Sequence, residues 1–127
     1  MNTIGNKYTE VTMKATDLRI GNLVLRKDLF DNKQKFKETI VCHNAITACY
    51  TNNDNFQPIP LTEEWLLKFG LKSELNGYYY IDDFVISLDG YVYFGIEEKY
   101  IRSIEFVHDL QNLYYAIKGE ELTYDPN

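Results

Sequence analysis

Two cysteines and two histidines are the side chains of this 127-residue sequence best suited to bind a metal or to act as nucleophiles. Structural zinc needs four ligands, usually seeded by Cys-x2-Cys or His-x3-His pairs. Cys42, His43, Cys49 and His108 form no such pair. Neighbouring strand residues point to opposite faces, so Cys42 and His43 would also diverge as a Cys–His nucleophile pair. We therefore expect a non-enzyme with no catalytic residue, no metal and no cofactor; the enzymatic alternative is a small hydrolase using His43 or His108 with a nearby carboxylate.

Acidic residues occur as four adjacent pairs, which raises the question of acid–base catalysis. Glycoside hydrolysis needs two carboxylates from separate elements that converge in a cleft, whereas adjacent carboxylates at helix starts and turns are solvated charge. The sequence contains neither the G-x-x-x-x-G-K-[ST] nor the G-x-G-x-x-G phosphate-binding motif. The pairs are Glu63 and Glu64, Asp82 and Asp83, Glu97 and Glu98, and Glu120 and Glu121.

Eleven tyrosines, several of them on consecutive strand-like runs, indicate a binding surface. Strand side chains alternate, so one face of such a sheet packs on helices while the other displays rings suited to protein hot spots or base stacking. Nucleic-acid binding would also need a basic groove, and the acidic surroundings fit the basic groove of a partner better. Ordinary packing or solvent exposure of that face is the alternative. The predicted partner-binding residues here are Tyr79, Asp82, Asp83, Asp89, Tyr91, Tyr93, Glu97 and Glu98.

Three lysines alternate in the charged connection over residues 27–37. An extended chain would project Lys33, Lys35 and Lys37 on one side, where they could contact RNA phosphates. The more common explanation is a hairpin edge whose lysines prevent pairing with other sheets. Both explanations remain open, and the three lysines complete the set of predicted partner-binding residues.

The second half of the chain has the clearest secondary-structure signals. Runs at 77–81, 84–88 and 91–95 predict an antiparallel meander, with a type I′ turn at Asp89-Gly90 and a fourth strand at 100–104. Two helices flank these strands. Residues 61–70 predict one that is capped by Thr62 and ended by Gly70, and 106–118 predict one that is ended by Gly119.

The first half is less distinct, and the whole reads as α+β. A turn or bulge at Gly21-Asn22 feeds a strand, and runs at 38–43 and 45–50 read as one bent strand or a hairpin. We expect an antiparallel sheet, open or closed into an SH3-like barrel, with two packed helices. One domain over 15–122 would follow an N-terminal arm or edge strand over 1–14 and precede a frayed tail over 123–127.

Charge and hydropathy limit the ligands and the cellular location that we expect for the protein. The net charge of −6 disfavours non-specific binding to DNA or anionic lipid, so we expect no independent DNA binding and no membrane association. Residues 1–60 carry 8 Lys+Arg against 6 Asp+Glu, and residues 61–127 carry 5 against 13. No apolar run approaches a membrane span and no signal peptide is evident, so a cytoplasmic location is the default. The cysteines are then expected to be reduced, although Cys42 and Cys49 are near enough in sequence to form a disulfide in an oxidising buffer.

Three segments in the same order resemble a family of small uncharacterised proteins common in Bacteroidota genomes and their phages. They are residues 17–24 (DLRIGNLV), 59–70 (IPLTEEWLLKFG) and 107–122 (VHDLQNLYYAIKGEEL). The resemblance covers about two-thirds of the chain and brings no catalytic residue with it. It implies a small cytoplasmic protein carried by mobile elements, a setting that includes inhibitors of host defence such as anti-CRISPR proteins.

The leading hypothesis is therefore a non-enzymatic phage-type binding protein that inhibits a host-defence nucleoprotein. Its partner would be a protein or ribonucleoprotein, such as an RNA-guided CRISPR effector with its guide RNA. The alternative is a small homo-oligomeric or virion-associated adaptor that uses exposed sheet edges and the apolar stripe of the last helix for self-association.

Overall fold

The computed structural model describes residues 13–74 and 76–123, and the chain divides into two compact units, Met1–Ile59 and Pro60–Asn127. Each unit contains one antiparallel sheet and at least one α-helix, which confirms the predicted α+β class. The predicted arm and tail lie outside the described residues, apart from Met13, Lys14 and Thr123. The prediction of one domain over 15–122 stays a prediction.

The sheet of the first unit has three strands in the order β2-β1-β3. Strands β1 and β2 form an antiparallel hairpin whose register runs from Leu23 opposite Ile40 to Lys27 opposite Phe36. This register places the connection over residues 28–35 at the open tip of the hairpin. The strands are β1 (Leu23–Lys27), β2 (Phe36–Ile40) and β3 (Phe56–Gln57).

Helix α1, His43–Thr51, occupies a segment in which the sequence pattern predicted a strand at 45–50, so that prediction is wrong. Val, Ile, Thr and Cys favour strands locally, but Ala45 and Cys49 are one helical turn apart and both are buried. The helical period therefore overrides local strand propensity, because it brings these two small side chains into the core of the unit. That core consists of Met13, Val24, Val41, Ala45, Cys49 and Phe56.

The same helix rules out the disulfide considered from the sequence. Cys42 and Cys49 are free thiols, the first exposed and the second buried. Seven residues along a helix correspond to a rise of about 10 Å. The Cα atoms of a disulfide lie within about 7 Å of each other, so these two cannot be bridged.

The sheet of the second unit has five strands in sequential order, from β4 to β8. Its central strands confirm the predicted meander, and β8 confirms the fourth strand. The buried face includes Phe84, Ile86 and Val92, each with no exposed surface. The strands are β4 (Lys72–Ser73), β5 (Tyr78–Ile81), β6 (Phe84–Ser87), β7 (Tyr91–Phe94) and β8 (Lys99–Ser103).

The turn between β6 and β7 differs from the predicted type I′ turn. A type I′ turn is a two-residue loop with positive φ at both central positions. Here the loop has three residues, Leu88, Asp89 and Gly90, and Gly90 alone among them has a positive φ, of 94°. The Gly90 N–H donates to the Ser87 carbonyl at 2.9 Å. This is the three-residue hairpin loop in which a glycine follows the turn.

Helix α2, Glu63–Lys68, begins and ends as the sequence predicts. The Thr62 hydroxyl oxygen accepts a hydrogen bond from the Trp65 N–H at 3.4 Å, which satisfies one of the helix's unpaired amides. Gly70 follows the helix with a φ of 87°, a conformation that favours glycine.

Helix α3, Val107–Lys118, ends at the predicted Gly119 and has an N-terminal cap that the sequence analysis did not identify. The Phe106 N–H donates to the Asp109 carboxylate at 3.2 Å, and Gly119 closes the helix with a φ of 75°. The buried face of the helix packs on the sheet, with the Tyr114 ring centroid 5.3 Å from that of Phe84. None of the described helices is long and apolar enough to cross a membrane.

Candidate functional site

The outer face of the five-stranded sheet carries a group of tyrosine rings, which we name the tyrosine face. The strand register produces it, because Tyr80 and Tyr93 both lie opposite Val85, and Tyr93 lies opposite Tyr100 on its other side. Tyr78 and Tyr91 lie one step along on the same face. The tyrosine face comprises Tyr78, Tyr80, Tyr91, Tyr93 and Tyr100.

Four of these rings contact one another across three strands. Ring centroids are 6.4 Å apart for Tyr78 and Tyr93, 5.6 Å for Tyr93 and Tyr100, and 6.2 Å for Tyr91 and Tyr100. These are the tilted and edge-to-face spacings that aromatic pairs prefer. Tyr100 is 54% exposed and Tyr91 is 47% exposed, so the rings hold each other in place while still presenting area to solvent.

Tyr79 does not belong to this surface, although the sequence analysis placed it among the partner-binding residues. It is 4% exposed and lies opposite Ile86 on the buried face. Its hydroxyl donates to the Glu63 carboxylate, and this hydrogen bond, together with burial, raises the pKa of Tyr79. Tyr79 is a core residue because the three consecutive tyrosines of β5 must alternate between faces.

Tyr78, Tyr80 and Tyr100 belong to the surface but were missing from the predicted set. Side chains alternate between the two faces of a strand, but three identical residues in a row do not indicate which of them face the core. Only the pairing of β5 with β6 shows that Tyr79, and not Tyr78, is buried. Tyr100 could have been found by counting across the predicted turn over residues 97–99, since it lies opposite Tyr93. Tyr91 and Tyr93 lie on the outer face, as their predicted role requires.

Four of the predicted carboxylates gather at one end of the sheet, which we name the acidic end. The β5–β6 turn holds Asp82 and Asp83, and the β7–β8 turn holds Glu97 and Glu98. A backbone hydrogen bond of 3.2 Å from Gly95 to the Asp83 carbonyl joins the two turns.

Asp89 and Lys118 are two further charged residues at this sheet. Asp89 lies in the β6–β7 turn, at the opposite end from the four carboxylates. The Lys118 Nζ lies 3.9 Å from the Asp82 carboxylate and 5.7 Å from the centroid of the Phe94 ring. The acidic end therefore includes one partly compensated carboxylate.

The three predicted lysines lie in the first unit, on the β1–β2 hairpin over residues 26–37, which we name the basic hairpin. Lys33 and Lys35 are exposed in its loop, and Lys37 lies on β2. The Lys37 ammonium donates to the Asp28 carboxylate at 2.9 Å, which holds the pKa of Asp28 below its ordinary value. The tyrosine face belongs to the second unit, so the lysines and the tyrosines lie in different units.

The candidate metal ligands and nucleophiles are not gathered into a site. In the described ranges 13–74 and 76–123, no three Cys, His, Asp or Glu side chains could together hold a metal ion. Amide N–H groups at the start of α1, above all that of Ala45, lower the pKa of the exposed Cys42 thiol, whereas burial raises the pKa of Cys49. His43 begins α1, and His108 is buried in α3 of the second unit.

Comparisons with protein-family models, with curated proteins and with solved structures gave no match. The resemblance carried by residues 17–24, 59–70 and 107–122 therefore stays a prediction.

Proposed function

We propose that the chain is a non-enzymatic binding protein of phage or mobile-element type that inhibits a host-defence nucleoprotein, namely an RNA-guided CRISPR effector. The tyrosine face and the acidic end would dock on a basic groove of the effector and keep nucleic acid out of it. The observation that carries this proposal is the contiguous group of half-exposed tyrosine rings on an open sheet face beside four carboxylates.

The tyrosine face has the composition and rigidity of a protein-binding hot spot. Tyrosine is enriched at interface centres because its ring gives a large contact area and its hydroxyl can still find a partner. Rings held on paired strands by mutual contacts lose little side-chain freedom on binding. Exposed apolar side chains extend the surface at both ends of the sheet and beside Tyr100. They are Leu88, Ile96 and Ile101.

The charge of the second half of the chain indicates the chemistry of the partner. Residues 61–127 carry 13 Asp+Glu against 5 Lys+Arg, a net charge of −8. Arginines and lysines that line a groove for nucleic acid bind phosphates, and carboxylates form the same charge-assisted hydrogen bonds with them. An acidic surface is also drawn to a basic groove at long range, which speeds association and repels acidic competitors.

The test is a pull-down with the tagged protein from a Bacteroidota lysate, with and without RNase, read by mass spectrometry. We expect one stoichiometric CRISPR effector, whose RNA-guided cleavage the purified chain then inhibits. Changing Tyr91 and Tyr100 to Thr removes both rings but keeps strand propensity. Losing one such hot-spot ring typically costs about 2 kcal/mol of binding free energy.

Tyr50→Thr is the matched control, because Tyr50 is 80% exposed in the first unit and lies outside the tyrosine face. It should capture and inhibit the effector as the unchanged chain does. Recovery of only the chain itself, or of virion proteins, would contradict the inhibitor proposal and favour the adaptor. Equal capture by the Tyr91/Tyr100 variant would show that another surface makes the contact.

A further inference from the structure

The tip of the basic hairpin exposes apolar side chains that the proposed function does not use. Phe30 is 99% exposed and Leu29 is 59% exposed, in a loop closed by the Asp28 N–H bond to the Lys35 carbonyl at 2.9 Å. The two adjacent side chains leave apolar area in water that a ligand could bury with a gain in free energy. The Phe30 N–H donates to the Asp28 carboxylate at 3.0 Å, so this exposed ring stands on a structured turn.

An open concavity of about 470 Å³ lies beside this ring. Its walls include Arg26, Lys27 and Lys37 together with Asp28 and Glu38, with Leu29 and Phe30 at the tip. The concavity is therefore apolar at the tip of the hairpin and has three cations against two carboxylates in the rest of its lining, a net charge of +1. Its volume is within the range of small-molecule and nucleotide sites, about 300–1,000 Å³.

The hairpin concentrates positive charge on a chain that is acidic overall. Residues 26–37 contain five Lys or Arg and two Asp, a local net charge of +3 on a protein of net charge −6. Aromatic rings hold two of the cations, since the Arg26 guanidinium lies 5.0 Å from the Phe56 centroid and the Lys27 ammonium 5.8 Å from that of Phe36. Lys37 is engaged by Asp28, which leaves Lys33 and Lys35 as the exposed cations of the loop.

We infer that the basic hairpin binds a single-stranded nucleic-acid segment. Phe30 would stack on one unpaired base, and Lys33 and Lys35 would contact the phosphates on either side of it. Single-strand sites combine these two features, an aromatic platform and flanking cations that follow the backbone. In a duplex the base faces are stacked on one another, so a protruding ring reaches one only by unstacking a base step, which costs free energy. RNA and DNA single strands share the required chemistry, and this inference does not depend on the proposed effector.

The experiment is fluorescence anisotropy of the purified chain with labelled oligo-U and oligo-dT of about 12 nucleotides, within the usual site size. Phe30→Ala should weaken binding by about 5- to 100-fold, the usual effect of removing one stacking ring. Changing Lys33 and Lys35 to Gln should reduce the slope of log affinity against log salt by about 1.4, since each single-strand phosphate contact contributes about 0.7.

Leu67→Ala is the matched control for Phe30→Ala, because Leu67 is 50% exposed in α2 of the second unit and lies outside both proposed binding surfaces. Lys72→Gln with Lys99→Gln is the control for the lysine pair. All four variants change exposed side chains, and circular dichroism melting should show that they remain folded. The controls should bind both oligomers as the unchanged chain does near 0.15 M salt, where the change in net charge of the lysine control is screened.

Three results would overturn the inference: neither oligomer binds at low salt, Phe30→Ala binds as well as the unchanged chain, or polyglutamate displaces the oligomer as effectively as unlabelled oligo-U. The ratio of oligo-U to oligo-dT affinity identifies the sugar that is preferred, and the oligo-dT arm also tests the expectation of no independent DNA binding. Effector capture through the tyrosine face is measured separately, so either proposal can fail without the other.

Discussion

At the scale of single residues, Gly90 shows how one position can fix the geometry of the tyrosine face. Its φ is +94°, and a Cβ added to it would meet the carbonyl oxygen of Ile104. The Ile104 N–H donates to the Gly90 carbonyl at 2.8 Å, so the two backbones are locked at close range. Gly90 immediately precedes β7, the strand of Tyr91 and Tyr93, and a shift here would displace both rings.

Gly90→Ala should therefore unfold more easily than Gly95→Ala. Gly95 has a similar φ, of +92°, but nothing lies within 4 Å of an added Cβ. Gly95→Ala carries only backbone strain, about 1–3 kcal/mol. Gly90→Ala adds overpacking against backbone, roughly a further 1–3 kcal/mol. Urea unfolding followed by circular dichroism measures the difference, and equal losses for the two variants would mean that the Ile104 contact relaxes freely.

The sequence predicts the helix ends well, because the local chemistry of single residues determines them. It predicts less well the features that depend on contacts with residues distant in the sequence. Thr62 caps α2 with its own hydroxyl, and Gly70 and Gly119 supply the positive φ that follows each helix. These residues act locally, so the start of α2 and the ends of both helices follow from the sequence. Helix α1 was predicted as a strand because its burial pattern depends on the core it meets. The prediction that Tyr79 is a surface residue was wrong for a related reason, since the pairing of β5 with β6 determines which residues of β5 face the core.

At the scale of elements, strand β8 bears on the adaptor alternative. All five of its residues are exposed, and in the described part of the chain β8 pairs with β7 alone. A register shift opposite Val92 and Tyr93 makes Ile101 an extra residue in the ladder. Bulges and charged side chains such as Lys99 and Arg102 discourage an edge strand from pairing with another sheet. These features weigh against self-association through this edge.

The chain should therefore sediment as a monomer at micromolar concentration. Changing Lys99 to Thr and Arg102 to Val removes the charges from the edge and raises strand propensity, so this variant should self-associate in a concentration-dependent way. Lys72→Thr, on the two-residue strand β4 at the other edge, is the control and should stay monomeric. Sedimentation equilibrium gives all three masses. A stable dimer of the unchanged chain would favour the adaptor.

At the scale of the whole molecule, charge is divided along the chain in a way that suits two ligands of opposite sign. Residues 1–60 have a net charge of +2 and residues 61–127 one of −8. The basic hairpin lies in the first part, and the tyrosine face with the acidic end lies in the second. A polyanion and a basic protein groove would therefore be bound by different units, and neutralising charge in one unit should not remove the binding activity of the other.

This division predicts opposite effects for two pairs of substitutions. Lys33→Gln with Lys35→Gln should weaken oligo-U binding and leave effector capture unchanged. Asp83→Asn with Glu97→Gln should weaken effector capture. The second pair also reduces the net negative charge from −6 to about −4, so repulsion of the oligomer falls and oligo-U binding should strengthen slightly at low salt.

That slight gain should vanish near 0.15 M salt, where the Debye length is about 8 Å and only local contacts remain. The two losses should persist there, because they arise from groups that touch the ligands. Fluorescence anisotropy measures oligo-U binding and the pull-down measures effector capture, each for both pairs of substitutions and at both low salt and 0.15 M salt. If each pair impaired both activities equally, one shared surface would bind both ligands, and the assignment of separate roles to the hairpin and the tyrosine face would be wrong.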